Sequence, residues 1–149
     1  GDMILLGKSK FSGRVANLGW IETVIRGSDE IMVTIPNSDL LSERVSNLSR
    51  LHQCQVKQVL KFSKTDTEKL PKLLQDIKTE IRRRCPTVIT DGSRPFRASW
   101  TSFVGGGNAE VTVDAHFRIS PAGDMFWDNQ QRCLQAIDEA IRLNDLVQI

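Results

Sequence analysis

The sequence predicts an α+β chain in two parts: a small strand-rich domain over residues 1–50 and a β-α-β-β-α-β domain over residues 51–149. Three observations lead there. Residues 1–50 break into short runs of alternating side chains separated by Gly, Asn, Asp and Ser. Residues 51–149 interleave longer strand-like runs with two segments whose apolar residues recur at helical spacing. The whole, at 149 residues with 40% hydrophobic and 26% charged side chains, has the balance of a soluble globular protein and room for two small domains.

In the first half, Met3–Leu6 reads as a strand, followed by a loop at 7–10 and a strand over Gly13–Asn17. Trp20–Arg26 sets Ile21, Thr23 and Ile25 against Trp20, Glu22 and Val24, so it too reads as a strand. Residues 27–30 turn into Ile31–Ile35, where Ile31, Val33 and Ile35 alternate with Met32 and Thr34. Pro36 ends that strand because it lacks a ladder N–H. Asn37-Ser38 then reads as a turn or a helix N-cap. Residues 40–50 form a connector of mixed character. So many brief strands in so few residues suggest a small, strongly bent barrel. About 50 residues bury too little surface to be comfortably stable alone.

In the second half, His52–Phe62 puts His52, Cys54, Val56, Leu60 and Phe62 on one face of a half-buried strand. Thr65 and Glu68 have capping-box spacing, and Leu70, Leu73, Leu74, Ile77 and Ile81 form a helical stripe. Pro71 suits a first turn, so the helix proper starts near Leu70 or its start is irregular. Arg82-Arg83-Arg84 closes the helix before Cys85-Pro86 and reads as a solvated helix end more than a binding patch. Phe96–Val104 and Ala109–Ile119 alternate about Gly105-Gly106-Gly107-Asn108, a hairpin signal. Asp124 reads as the cap of a second helix with Phe126, Cys133, Leu134, Ile137 and Ile141 on its apolar stripe. Residues 146–149 read as a last strand, completing a split βαβ, or ferredoxin-like, order.

Little in this composition asks for chemistry. Net charge is +2, from 20 basic and 18 acidic residues, so no anionic partner is demanded. Cys54, Cys85 and Cys133 are odd in number and lack CxxC spacing, which suggests buried thiols in a reducing compartment. No apolar run approaches a membrane-spanning length. The triple glycine joins two strands and does not open a helix, so it is no phosphate cradle. Asp114 and His116, with Glu110 and a serine such as Ser99 or Ser102, would need a fortuitous assembly to catalyse anything. His52 and His116 have no metal-ligand spacing. Trp20, Trp100 and Trp127 would suit a nucleic-acid platform only with basic residues interleaved, and core positions are expected for them instead. No catalytic, cofactor-binding or metal residue is therefore assigned.

One ordered series is informative as a set: Gly1-Asp2-x-Ile4, Ser12-Gly13-x-Val15, Thr23-x-x-Arg26, Ile35-Pro36-Asn37-Ser38 and Asn47-x-Ser49-Arg50. It resembles the β domain of the small-conductance mechanosensitive channel family. One departure is local: the family often has Asp-Gly before the strand that ends in Ile-Pro-Asn-Ser, whereas here Gly27 precedes Ser28-Asp29-Glu30. The resemblance implies an Sm-like β domain followed by the ferredoxin-like domain. It implies structural roles for Gly13, Arg26, Pro36, Asn37, Asn47 and Arg50. It also implies a non-enzymatic function, the soluble vestibule of a tension-gated channel that passes ions and small osmolytes. The channel would be a homoheptamer, a membrane protein held in the bilayer by transmembrane helices absent from these residues, with this part facing cytoplasm or organelle lumen. No cofactor and no nucleic acid are implied. The abrupt start in a strand suggests a piece of a longer protein, one that the family would continue into a closing C-terminal barrel. An RNA-binding Sm-like module and a metabolite-sensing ferredoxin-like module are the alternatives.

Overall fold

A computed structural model describes residues 1–149. The chain is α+β with two antiparallel sheets, as the sequence predicts. It divides into two compact units, Gly1–His52 with Ser120–Ala122, and Gln53–Ile119 with Gly123–Ile149.

The first unit is a meander of β1 (Met3–Leu6), β2 (Ser12–Leu18), β3 (Glu22–Gly27) and β4 (Met32–Pro36). A five-residue helix α1 (Asn37–Leu41) leads to β5 (Val45–Asn47), which returns to pair with β1. The sheet order is thus β4-β3-β2-β1-β5, with β4 and β5 at its edges. A bulge between Val15 and Asn17 bends β2 against β3. Ile4, Leu6 and Ile25 form the buried core, flanked by Phe11, Val15, Ile35 and Leu40. Both α1 and β5 fall within or beside the stretch the sequence leaves as a turn and connector, because three to five residues are too few for a period to register.

The second unit starts with β6 (Cys54–Phe62), which buries Cys54, Val56, Leu60 and Phe62 and leaves His52 exposed beyond its end. A 3₁₀ turn, Lys64–Lys69, precedes α2 (Leu70–Arg84). Its cap is Ser63, whose Oγ accepts from Thr65 N at 3.4 Å, in place of the expected Thr65–Glu68 box. The helix does begin at Leu70, with Pro71 in its first turn, and buries Leu70, Leu73, Ile77 and Ile81. Strands β7 (Arg97–Val104) and β8 (Asn108–Phe117) are joined by Gly105–Gly107, where Gly106 and Gly107 adopt φ of 77° and 82° that side chains resist. Helix α3 (Asp124–Leu143) follows Gly123, and Asp124 is a first-turn residue that makes no capping hydrogen bond.

The sheet order is β6-β8-β7. The expected fourth strand is absent: the C-terminal segment makes one antiparallel bridge, Gln148 to Phe62, with Ile149 N donating to Lys61 O at 2.9 Å. On the other side of β8, Val88 bridges Phe117. Ala109, Val111, Val113, Ala115 and Phe117 of β8 pack with the stripes of α2 and α3 in one core. Each fully buried Ile, Leu or Phe there contributes about 1.5–3 kcal/mol. Leu134 falls off the expected stripe and is 39% exposed, its place in the core taken by Ala136 and Ala140.

The tryptophans are not in the core. Trp20 is fully exposed, in a turn closed by Gly19 N donating to Glu22 O, so β3 starts two residues later than the alternation suggests. Trp100 and Trp127 are 39% and 60% exposed. Trp100 lies on edge strand β7, where a bulge between Trp100 and Ser102 re-aims the side chains.

Candidate functional site

The six motif residues of the β unit fall into three local arrangements. Gly13, on β2, faces Gly27 across the ladder. A Cβ at Gly13 would lie 2.5 Å from Arg26 O and 2.6 Å from Ile25 Cγ2, so only glycine fits there without displacing backbone. The constraint is space against the neighbouring strand, not a left-handed φ, since Gly13 is not among the positive-φ residues. Arg26 supplies that crowding carbonyl, while its side chain is exposed and reaches Glu30 at 3.8 Å.

Pro36 closes β4 opposite Glu22 and precedes α1. Asn37 does not cap that helix. Its Oδ1 accepts from Thr23 Oγ1 at 2.8 Å and its Nδ2 donates to Gly19 O at 2.9 Å. Thr23 is 2% exposed, so this cross-link satisfies a buried hydroxyl.

Asn47 and Arg50 meet at Asp2. Asn47 Nδ2 donates to Asp2 Oδ2 at 2.7 Å, and Arg50 Nε lies 3.4 Å from the same oxygen. Asn47 Oδ1 accepts from Ser49 N at 3.1 Å and Arg50 N at 3.3 Å, an Asx turn, while Ser49 Oγ accepts from Met3 N at 2.8 Å. The Asn47 hydrogen bond outweighs burial and, with Arg50, holds Asp2 below the usual carboxylate range. Asp2, Thr23 and Ser49 stand in the motif series without an expected role, and Gly19 lies outside it with no local signal to mark it. A cavity of about 500 Å³ lies beside this cluster, lined by Asp2, Ile4, Val15, Thr23, Leu40 and Asn47 among others. Its acid is already engaged, so the cavity holds no free general acid or base.

In the α/β unit the polar face of β8 is internally paired. Asp114 Oδ1 accepts from Gln55 at 2.8 Å, His116 Nδ1 meets Pro95 O at 3.0 Å, and Ser102 Oγ donates to Glu110 at 3.2 Å. Asp114 lies 3.8 Å from His116 Nδ1. Ser99 sits opposite Thr112, four residues along β8 from His116, which is about 13 Å at strand rise. Neither Ser99 nor Ser102, which lies opposite Glu110, is placed to reach this histidine. No group of three or more His, Cys, Asp or Glu side chains is placed to hold a metal.

The triple arginine is spoken for. Arg83 and Arg84 converge on Glu80 Oε2 at 2.7 and 3.2 Å, and Arg82 lies over the Phe96 ring at 5.1 Å beside Lys78 at 5.2 Å. All three cysteines are buried and unpaired by disulfides. Burial, with Cys85 adding to it, pushes the Cys133 thiol up to about 12, so it is no nucleophile.

Residues 1–50 match the family described as the mechanosensitive ion channel β-domain. Among curated protein sequences nothing matches significantly. Three solved structures share the fold over essentially the whole chain. Two are cryo-EM structures of Arabidopsis thaliana MSL1, at 21% identity with TM-scores of 0.82 and 0.83, covering 100% of this chain and 52% and 50% of theirs. The third is the closed-state crystal structure of Helicobacter pylori MscS, at 20% identity with a TM-score of 0.74, covering 99% of this chain and 54% of that one. The chain thus spans about half the length of the structures it matches. No helix in it is long and apolar enough to cross a membrane. Residues 1–50 thus resemble the mechanosensitive ion channel β-domain, and the chain as a whole shares the fold of the MSL1 and MscS structures.

Proposed function

We propose that this chain is part of the soluble, vestibule-forming region of a mechanosensitive channel. Ions and small osmolytes pass through that vestibule when bilayer tension opens a pore made by transmembrane helices outside residues 1–149. The observation that carries this reading is the channel β-domain match over residues 1–50; the fold shared with MSL1 and MscS supports it. On this reading the working form is a homoheptamer in a membrane, this part faces cytoplasm or organelle lumen, and no reaction is catalysed. Residues 1–50 and 51–149 are its two domains, and Gly13, Arg26, Pro36, Asn37, Asn47 and Arg50 are structural positions of the first. Edge strands β4 and β5 offer unpaired backbone to neighbouring copies, and a net charge of +2 does little to hold copies apart. The test is to reconstitute the full-length parent protein, pull patches and apply suction. Tension-gated conductance is expected, and silence up to membrane rupture would sink the reading.

A specific observation favours one competitor. Trp100 and Phe103, both exposed on β7, lie edge to face with ring centroids 5.0 Å apart, aromatic surface of the kind a base-stacking platform uses. Tight, salt-dependent binding of oligonucleotides would favour a nucleic-acid module over the channel, for which no such binding is expected.

A further inference from the structure

The turn between β2 and β3 is built from residues that turns ordinarily avoid. Gly19 N donates to Glu22 O at 2.9 Å, so Trp20 and Ile21 are the two residues that reverse the chain. Such turns usually carry Gly, Asn, Asp or Ser, which suit the backbone and leave nothing apolar in water. Here Leu18 and Ile21 are 76% and 82% exposed, and Trp20 is fully so. Residues 18–21, Leu-Gly-Trp-Ile, hold no charge and no polar side-chain atom except the indole N–H. The tip is nevertheless held firmly by Asn37, where β4 ends. Asn37 Nδ2 donates to Gly19 O at 2.9 Å, and its backbone N donates to Ile21 O at 2.8 Å. Behind the tip, Thr23 is buried and bonded to the same asparagine. A departure from local turn chemistry on a braced support points to function more than to folding.

Shape and chemistry select the partner. The tip is a protrusion, so a tryptophan that touches so little of its own chain needs a partner that moulds around it. A fluid lipid interface does so without a complementary pocket. Tryptophan suits the headgroup level, with its ring toward the acyl chains and its N–H among polar groups. Leucine and isoleucine beside it add apolar area to bury. The nearest charged residues along the chain, Arg14 and Glu22, are exposed and opposite in sign, so attraction to anionic headgroups is not the driving force. We propose that Leu18, Trp20 and Ile21 form a membrane-docking tip that inserts into the headgroup boundary of a lipid bilayer. The proposal rests on the channel reading for the presence of that bilayer, since residues 1–50 match a mechanosensitive ion channel domain. Asn37 is then a positioning residue that holds the tip in the form that inserts.

The experiment mixes the 149-residue chain with phosphatidylcholine vesicles and follows co-sedimentation and tryptophan emission. For emission, Trp100→Phe with Trp127→Phe leaves Trp20 as the only tryptophan. Partition is expected by about 10 mM lipid, weaker than the roughly 10⁴ M⁻¹ of a single myristoyl chain. Trp20 emission should shift to the blue and be quenched by brominated lipid. Salt at about 1 M, where the Debye length is about 3 Å, should leave partition unchanged. Trp20→Ser should weaken it at least about tenfold, the loss of one large buried side chain. Trp20→Asn with Ile21→Gly, which restores ordinary turn residues, should abolish it without lowering the melting temperature. Phe103→Ser, which removes a ring 68% exposed in the other unit, should bind like the parent chain. No partition at about 10 mM lipid overturns the tip as a membrane anchor. Undiminished partition of the folded double variant overturns its location, and loss of partition in salt overturns its apolar basis. Self-association that these variants abolish, with no lipid binding, overturns the bilayer in favour of a second copy of this chain. All of this is read without a pore, so a negative result here is distinct from silence of the full-length protein under suction.

Discussion

The two units of this chain are held together by different means. The α/β unit closes a core of twenty-one buried apolar residues shared by its sheet and two helices. The β unit has three, Ile4, Leu6 and Ile25, and leaves Leu18, Trp20, Ile21 and Leu41 more than three-quarters exposed. What organises it instead is backbone pairing, close strand approach at Gly13, and two asparagines that tie together residues far apart in sequence. A unit of about 50 residues buries too little apolar surface to do otherwise. The lesson is that equal truncations should act differently on the two halves: loss of volume hurts the second, loss of geometry the first.

The sharpest contrast comes from volume. Phe117 is fully buried where β8 ends. Phe117→Ala should cost about 3–5 kcal/mol by lost transfer energy and cavity formation, read by urea unfolding. Amide protection should fall throughout β6, α2 and β8 while β2 and β3 keep theirs. A loss confined to neighbouring residues would mean that the second unit does not behave as one core. The converse is Gly13→Ala, which adds a single methyl group 2.5 Å from a carbonyl oxygen. It should cost about 1–3 kcal/mol through forced backbone displacement, with exchange accelerating in β2 and β3 only. A variant that melts like the parent protein would show that the strands part without penalty.

A smaller effect tests the polar cross-links. Asn37→Ala strips partners from Thr23 Oγ1 and Gly19 O at once and should cost about 1–2 kcal/mol. Thr23→Val made in that background should cost less than in the wild-type chain, because its hydroxyl no longer has a partner to lose. A coupling of about 0.5 kcal/mol or more in the double-mutant cycle is expected. Strict additivity would mean that the two side chains are neighbours without being partners.

The contrast between units also explains what could be read from sequence. Strands β6 and β8 and the stripe of α2 were legible because each carries enough alternation or helical period to stand out. In the β unit the partners of the motif residues were not legible. Asn37 reads locally as a cap, yet its partners Gly19 and Thr23 lie 18 and 14 positions away. Gly13 stands in the motif series with a structural role but no stated reason, and what crowds it is another strand. At the β3–β4 turn the left-handed residue is Glu30, with φ of 67°, because Gly27 stays in the strand opposite Gly13. Trp100 misled because alternation names a face but cannot say that a strand is an edge, while Trp20 lies in a turn before β3 and Trp127 on the exposed side of α3. The burial of Asn129 left no trace, since an asparagine beside a helical stripe looks like surface until the helix is packed.

Acid provides the gentlest probe of the comparison, since each unit contains a depressed carboxylate held by neighbouring residues: Asp2 in the first, and Glu80, besides the loop residue Asp91, in the second. The hydrogen bond from Arg83 outweighs burial at Glu80 and, with Arg84, holds that group below the ordinary range; at Asp2 the Asn47 amide does the same, with help from Arg50. In both cases the folded pKa lies below the unfolded value of about 4. The unfolded chain therefore takes up the proton first as pH falls. The stabilisation is complete above the unfolded pKa and fades as pH drops through the lower, folded one. Arg83 and Arg50 are largely exposed, so solvent screening keeps both effects small. Melting followed from pH 7 to pH 3 should show a shallower acid loss for Glu80→Gln than for the parent chain, with amide protection recovering in α2. Asp2→Asn should flatten the response of β1 and β5 instead and leave α2 unchanged. If both variants follow the parent's acid profile, or both act on the same amides, these carboxylates do not report on separate units.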